Sequence, residues 1–344
     1  MAIDEQRPRL SRGRFLAVAL TMPTLGSALG IDGGAIFQIV ASENLGLDAR
    51  AIGIGFGLGV ISVPVQVWAA RMPLWRARRN LQVFLACAAV QCWVLAGLVA
   101  FVVPGDRRAI AALAITVTAE LSLSVLYATA WQPLLSYALT VTARQHINSR
   151  GRAGGGALLA GGLLVFGLAD DLTRIVFLVA VGAVAIALAV SLRDLASPDR
   201  LVDSPDVGDA ARRAPTNRSI PAQMRTIYMM TAFIALAAWP LFIVYTREVL
   251  WPSANLGLVA AVQFAGALLA AAAWRPTPGD VAPRARVAGA GLLLGGVLVS
   301  VSASRADWLL DPYRIYLLAM AIGVVSALTR ISAPMTRGLD RRSG

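Results

Sequence analysis

The sequence has no lysine, a single histidine (His146) and only two cysteines (Cys87 and Cys92) in 344 residues. One histidine and two cysteines in one apolar stretch leave little for a transition-metal site. No paired-ligand motif and no disulfide framework is present. The thiols read as small buried apolar residues. Charge is scarce: 15% of residues are charged, against about 25% in an ordinary soluble domain. Apolar residues reach 57% and mean hydropathy is +0.67. No single soluble core takes up that much apolar sequence, so a soluble enzyme or binding module is excluded and the excess must face lipid. All of the basic charge is carried by 31 arginines, which set a net charge of +12. They are dispersed between apolar segments rather than gathered on one domain, which argues against a nucleic-acid partner.

A spanning helix takes about 20 mostly apolar residues. Ten stretches meet that length: 15–41, 51–70, 81–103, 109–139, 153–169, 175–192, 226–246, 256–274, 287–304 and 313–335. Residues 1–14 form a basic tail. The apolar run behind it is too long for a signal-peptide core and has no A-x-A cleavage site.

Arginine counts orient the chain. With the N-terminus in the cytoplasm, the inside segments hold 24 arginines and the outside connections seven. Every inside segment has at least three: the tail, the connection between spans 2 and 3 (Arg71, Arg76, Arg78, Arg79), the loop between spans 4 and 5 (Arg144, Arg150, Arg152), and those that follow. A missed span would scramble this alternation. The expectation is an all-α, multi-pass protein of the cytoplasmic (inner) membrane, with ten spans and both ends in the cytoplasm.

Residues 193–225 are polar, with four X-Pro steps and five aspartates. Such composition cannot fill a core and reads as a cytoplasmic linker. It divides a six-helix bundle, 15–192, from a four-helix part, 226–335, which ends in a tail at 336–344.

Ionisable residues inside a span are costly and usually face a cavity or a partner. Of 19 acidic residues, only Asp32 and Glu120 lie well inside a span. Thr116, Glu120, Ser124, Tyr127 and Trp131 recur at helical spacing on one face of span 4. A polar, aromatic and acidic stripe there should face water, substrate or another helix; the plainer reading is a polar seam between packed helices. On span 1, Asp32 lies among Gly26, Gly30, Gly33 and Gly34, which could bend the helix or pack it closely. Span 7 offers Tyr228 and Trp239. Span 10 offers Tyr316 and Arg330, the latter equally able to snorkel to the surface. Span 2 carries Gly53, Gly55, Gly57 and Gly59, and span 5 a run from Gly151 to Gly162. Both read as close-packing faces, and no G-K-[ST] step follows either one.

This layout resembles the major facilitator superfamily of secondary transporters: a six-helix half, a long cytoplasmic linker and a second half. That family's signature lies between its second and third helices, in a pattern close to G-x-L-A-D-R-x-G-R-R. Here Arg71, Arg76, Arg78 and Arg79 match its basic positions, while Gln66 and Ala70 replace its Gly and Asp. Two final helices of the family are lacking, and with them the partner of the span 2 glycine face. A second subunit packing on that face is one expectation; a truncated carrier is the other.

The resemblance implies a cavity lined by spans 1, 4, 7 and 10, where the residues singled out above fall. The leading expectation is a secondary active transporter of a small organic solute, driven by protons. Glu120 would be the protonation site and Asp32 a second acid. Thr116, Ser124, Tyr127, Trp131, Tyr228, Trp239, Tyr316 and Arg330 would surround the substrate. No cofactor or metal is expected, and no enzymatic activity. A truncated, inactive or non-transporting membrane protein is the main alternative. An acyltransferase-type membrane enzyme is a weaker one, since His146 has no nucleophile placed to use it. A ten-helix carrier with five-helix repeats would place the linker after span 5 rather than span 6.

Overall fold

The computed structural model describes residues 12–29, 34–48, 50–52, 77–102, 111, 126–127, 130–131, 134–135, 139, 141–193, 242–243, 245–273 and 312–332. All regular structure among them is helical. The elements are α1 (Arg12–Ala28), α2 (Ala35–Ile39) running into a π-helical turn (Val40–Asn44), α3 (Ala77–Phe101), α4 (Val141–Leu168), α5 (Asp171–Ser191), a second π turn (Thr246–Leu250), α6 (Leu256–Ala273) and α7 (Pro312–Ser332). The chain separates into two compact units. One comprises Met1–Leu158 and Ala169–Arg218; the other comprises Leu159–Leu168 and Ser219–Gly344.

Three stretches are long and apolar enough to cross a bilayer: Ala77–Phe101, His146–Leu168 and Asp171–Ser191. At 21 residues, α5 is about 32 Å long, close to the ~30 Å of a hydrocarbon core. On α3 the exposed apolar residues Val83, Val90, Val94 and Phe101 recur on one face. A soluble helix would carry polar residues there. The described part is therefore all-helical and compatible with a membrane protein. Expected span 9 lies outside the described residues, as do all but the ends of spans 2 and 7, most of span 4, and the linker beyond Arg193.

Several boundaries differ from expectation. Span 1 is divided: α1 ends at Ala28 and α2 starts at Ala35. Gly34 explains part of this. A Cβ there would clash with the carbonyl oxygen of Ser27, so the backbone doubles back more tightly than a side chain permits. The Ser27 hydroxyl then accepts a hydrogen bond from the Ile36 amide at 3.1 Å, satisfying one of the free donors at the start of α2. Span 5 begins earlier than expected, at Val141, so Arg144, His146, Arg150 and Arg152 are helical rather than in a loop. That segment has no helix breaker until its glycines, and those pack on α1. Span 3 begins at Ala77, which moves Arg78 and Arg79 from the connection into the first turn of α3.

The first unit is held together by close helix contacts. Pro23 lies inside α1 and has no N–H to offer the preceding turn. Facing that stretch, α4 presents Gly151, Gly154 and Gly155, where a Cβ would clash with Ala19, Leu20 and Pro23. Small residues let the backbones approach, as packing within a membrane favours. Gly161 was expected on the same packing face, but among the described residues nothing lies within 4 Å of its Cβ position.

The α3–α5 pair is antiparallel and in register. Trp93 Nε1 donates to Val179 O at 3.3 Å, Gln82 Nε2 to Ala189 O at 3.0 Å and Arg78 Nη1 to Arg193 O at 3.3 Å. Gly182 makes room for the Trp93 ring, which a Cβ would strike. Cys87 is half-buried and Cys92 buried, and neither is in a disulfide.

In the second unit α6 and α7 pack through reciprocal glycines. Gly266 faces the Met320 carbonyl and Gly323 faces that of Gln263. Gly167, at the end of α4, meets Gly257 back to back, and Asn255 Nδ2 donates to Gly167 O at 2.8 Å.

Candidate functional site

The expected stripe on span 4 is described at its lower half, where residues 126–127, 130–131 and 134–135 are helical. Tyr127 and Trp131, one turn apart, stack with ring centroids 5.7 Å apart. Trp131 meets Phe15 of α1 edge-on at 6.0 Å, and Tyr127 lies 5.4 Å from Phe84 of α3. Four rings thus tie three helices together, with geometry typical of aromatic pairs. Phe15 and Phe84 are fully buried and Trp131 is nearly so. Tyr127 is half-buried, so the cluster offers an apolar wall with one phenol.

Tyr316, also half-buried, lies in the second unit, edge-on to Trp251 at 5.8 Å. Arg330 lies on α7. Arg78 and Arg79 lie on α3, Arg78 donating to the chain at Arg193 and Arg79 exposed. Asp32, Thr116, Glu120, Ser124, Tyr228, Trp239, Arg71 and Arg76 lie outside the described residues.

Two polar features were missed in the sequence. The first is an ion pair between Glu43, in the π turn after α2, and Arg174, in the first turn of α5. Arg174 Nη2 lies 2.7 Å from Glu43 Oε2, with side chains 10% and 17% exposed. Asn44 joins it, accepting from Arg174 Nη1 at 3.1 Å and donating to Asp171 Oδ1 at 2.7 Å. The π turn widens the helix by one residue per turn. The arginine was counted as an ordinary outside residue, and Glu43 was placed beyond the end of span 1. The available signal was the polar run Ser42-Glu43-Asn44 directly behind an apolar helix.

Asp170 caps α5 beside this cluster, its carboxylate accepting from the Thr173 amide at 3.0 Å. Hydrogen bonds from Thr173, side chain first and amide second, hold the Asp170 pKa below the ordinary carboxylate value. The opposite end of α5 is closed by two arginines and a glutamine. Arg14 Nη1 donates to Ser191 O at 2.8 Å, Gln82 to Ala189 O and Arg78 to Arg193 O. These donors satisfy carbonyls that a helix end leaves open, and positive charge suits the helix C-terminus.

The second missed feature is Gln263 on α6. It is fully buried, and neither its amide nitrogen nor its amide oxygen has a partner among the described residues. Among the described residues no group of three His, Cys, Asp or Glu could hold a metal ion. Neither the family models nor the curated proteins compared with the chain give a match.

Proposed function

We propose that the chain is a secondary active transporter that moves a small organic solute across the cytoplasmic membrane by alternating access, coupled to protons. The observation that carries this reading is a device present once in each unit. In the first unit, α2 passes into a π turn containing Glu43. A short connection follows, and then Asp48 Oδ1 accepts from the Ala51 amide at 2.7 Å as the next helix starts. In the second unit, helical residues 242–243 lead to a π turn containing Glu248. A short connection follows, and then Asn255 Oδ1 accepts from the Leu258 amide at 2.9 Å as α6 starts. Recurrence of one helix–π turn–Asx-capped helix unit supports two related halves, the arrangement from which many carriers are built. π turns are also frequent at functional positions.

In this reading the architecture is that of the major facilitator superfamily, with ten spans as six and four around the linker at 193–225. Glu120 is the proton carrier, because it is one of the two acidic residues that the sequence places well inside a span, where an ionisable group is costly and usually functional. Asp32 is the second acid. Tyr127 and Trp131 supply apolar surface to the substrate site, and a second copy of the chain packs on the span 2 glycine face. The test uses proteoliposomes holding a pH-sensitive dye. Sugars, amino acids and cationic drugs are added in turn, and solute-driven proton movement is recorded for the wild type and for Glu120→Gln. The expected result is proton flux with at least one solute class, lost in Glu120→Gln. Full coupled flux in that variant would overturn the role of Glu120.

The closed ring cluster of Phe15, Phe84, Tyr127 and Trp131 favours a second reading, a non-transporting membrane protein whose span 4 stripe is a packing seam. Absence of flux with every solute from a correctly folded protein would decide for it.

A further inference from the structure

The two ends of the α3–α5 pair differ in charge. Glu43, Asp170 and Asp171 gather at the N-terminal end of α5. About 32 Å away, the described residues of the first turn of α3 and of the last turn of α5 through Arg193 contain no carboxylate, Asp194 following next in the chain. Instead they carry Arg78, Arg79 and Arg193, and Arg14 reaches the same helix end through its bond to Ser191 O. Arg79 and Arg193 are exposed.

These two arginines also stand in line with the apolar faces of their helices. Arg79 precedes Val83 by one turn, and Val83 begins the exposed series Val83, Val90 and Val94. Arg193 follows Val190, the last exposed valine of α5, by three residues. The bond from Arg78 to the Arg193 carbonyl keeps both helix ends side by side. Guanidinium groups thus sit where two adjoining apolar faces stop. A headgroup phosphate meets a protein at that level, while its acyl chains run along the apolar faces. Arginine suits this task, since its planar fork pairs phosphate oxygens in a bidentate manner, and clustered basic groups beside spanning helices attract anionic headgroups.

We propose that Arg79 and Arg193, supported by Arg78 and Arg14, form a binding site for the phosphate headgroup of an anionic phospholipid at the arginine end of the α3–α5 pair. The site is independent of which solute, if any, the protein moves.

The test takes the full chain in neutral detergent and titrates it with phosphatidylglycerol, phosphatidylcholine or inorganic phosphate. Bound lipid is counted by native mass spectrometry and stability is followed by thermal unfolding. The expected result is preferential retention of phosphatidylglycerol and a rise in unfolding temperature that the other two probes do not produce. At about fivefold per arginine near the surface, Arg79→Gln/Arg193→Gln should weaken phosphatidylglycerol binding roughly 25-fold. Arg79→Lys/Arg193→Lys keeps the charge without the bidentate fork and should bind at a level between the wild type and the Gln variant. The Gln variant preserves the fold, because both side chains are exposed and Arg78 uses only the carbonyl at position 193. Unchanged phosphatidylglycerol binding in the Gln variant would overturn the site. So would equal retention of phosphatidylcholine. Stabilisation by inorganic phosphate alone would mean a soluble-anion site and would overturn the lipid assignment.

Discussion

At the scale of single residues, the most constrained polar contact in the described chain is Arg174 with Glu43. Both side chains are largely shielded from water, so removing one leaves the other charged and partly desolvated. Arg174→Gln should lower stability by about 2 kcal/mol, below the 3–5 kcal/mol seen for deeply buried pairs because Asn44 and residual solvent still serve Glu43. Glu43→Gln/Arg174→Gln should recover more than half of that loss, since neutral amides tolerate the site without an orphaned charge. Thermal unfolding of the single and double variants in detergent measures both. A double variant as unstable as the sum of the singles would show that the pair is not coupled. This contact was not legible in the sequence. Local spacing places Arg174 on α5 and Glu43 beyond an apolar run, but 131 residues separate them, and only the tertiary fold brings them together.

At the scale of the helical element, glycine controls how closely α3 and α5 approach. The Trp93 ring lies over Gly182, its indole N–H bonded to the Val179 carbonyl. A branched side chain at position 182 must displace that ring or the helix. Gly182→Leu should therefore cost about 2 kcal/mol by overpacking and shift the unfolding temperature down. Trp93→Ala in the same chain should restore a substantial part, because Trp93 is already 41% exposed and its removal opens the space. No restoration would mean that the helix backbones, not the ring, set the limit. The sequence foretold the use of glycine on span 5 but spread it over the whole run. Among the described residues, Gly151, Gly154 and Gly155 meet α1 while Gly161 meets no neighbour, and a helix periodicity cannot tell which stretch of a face has one. Gly34, among the glycines of span 1, was the local signal for its interruption. Straight, the path from Arg14, beside Ser191, to Asn44, beside Asp171, would be about 45 Å, against about 30 Å for the partner stretch of α5. The break between α1 and α2 takes up the surplus length.

At the scale of the whole molecule, the arginine distribution predicts which connections face which side. The test is a cysteine-free background, Cys87→Ala/Cys92→Ala, with single cysteines placed by Asp106→Cys or Ser204→Cys. A membrane-impermeant maleimide should label position 106 in intact cells and position 204 only after the membrane is opened. Labelling at position 204 in intact cells would reverse the orientation or change the span count. Helical class and bilayer-scale length were legible from composition alone. An apolar excess of this size favours lipid as its solvent, and within lipid a backbone must meet its own hydrogen-bonding groups, which a helix does locally. The tertiary structure alone decided which faces are exposed, that Trp131 is closed over by Phe15, that Glu43 finds Arg174, and that the ends of α3 and α5 gather arginines together. Each of these depends on contacts between residues far apart in the chain. Helical periodicity orders residues around one axis and carries no information about which axis lies beside it.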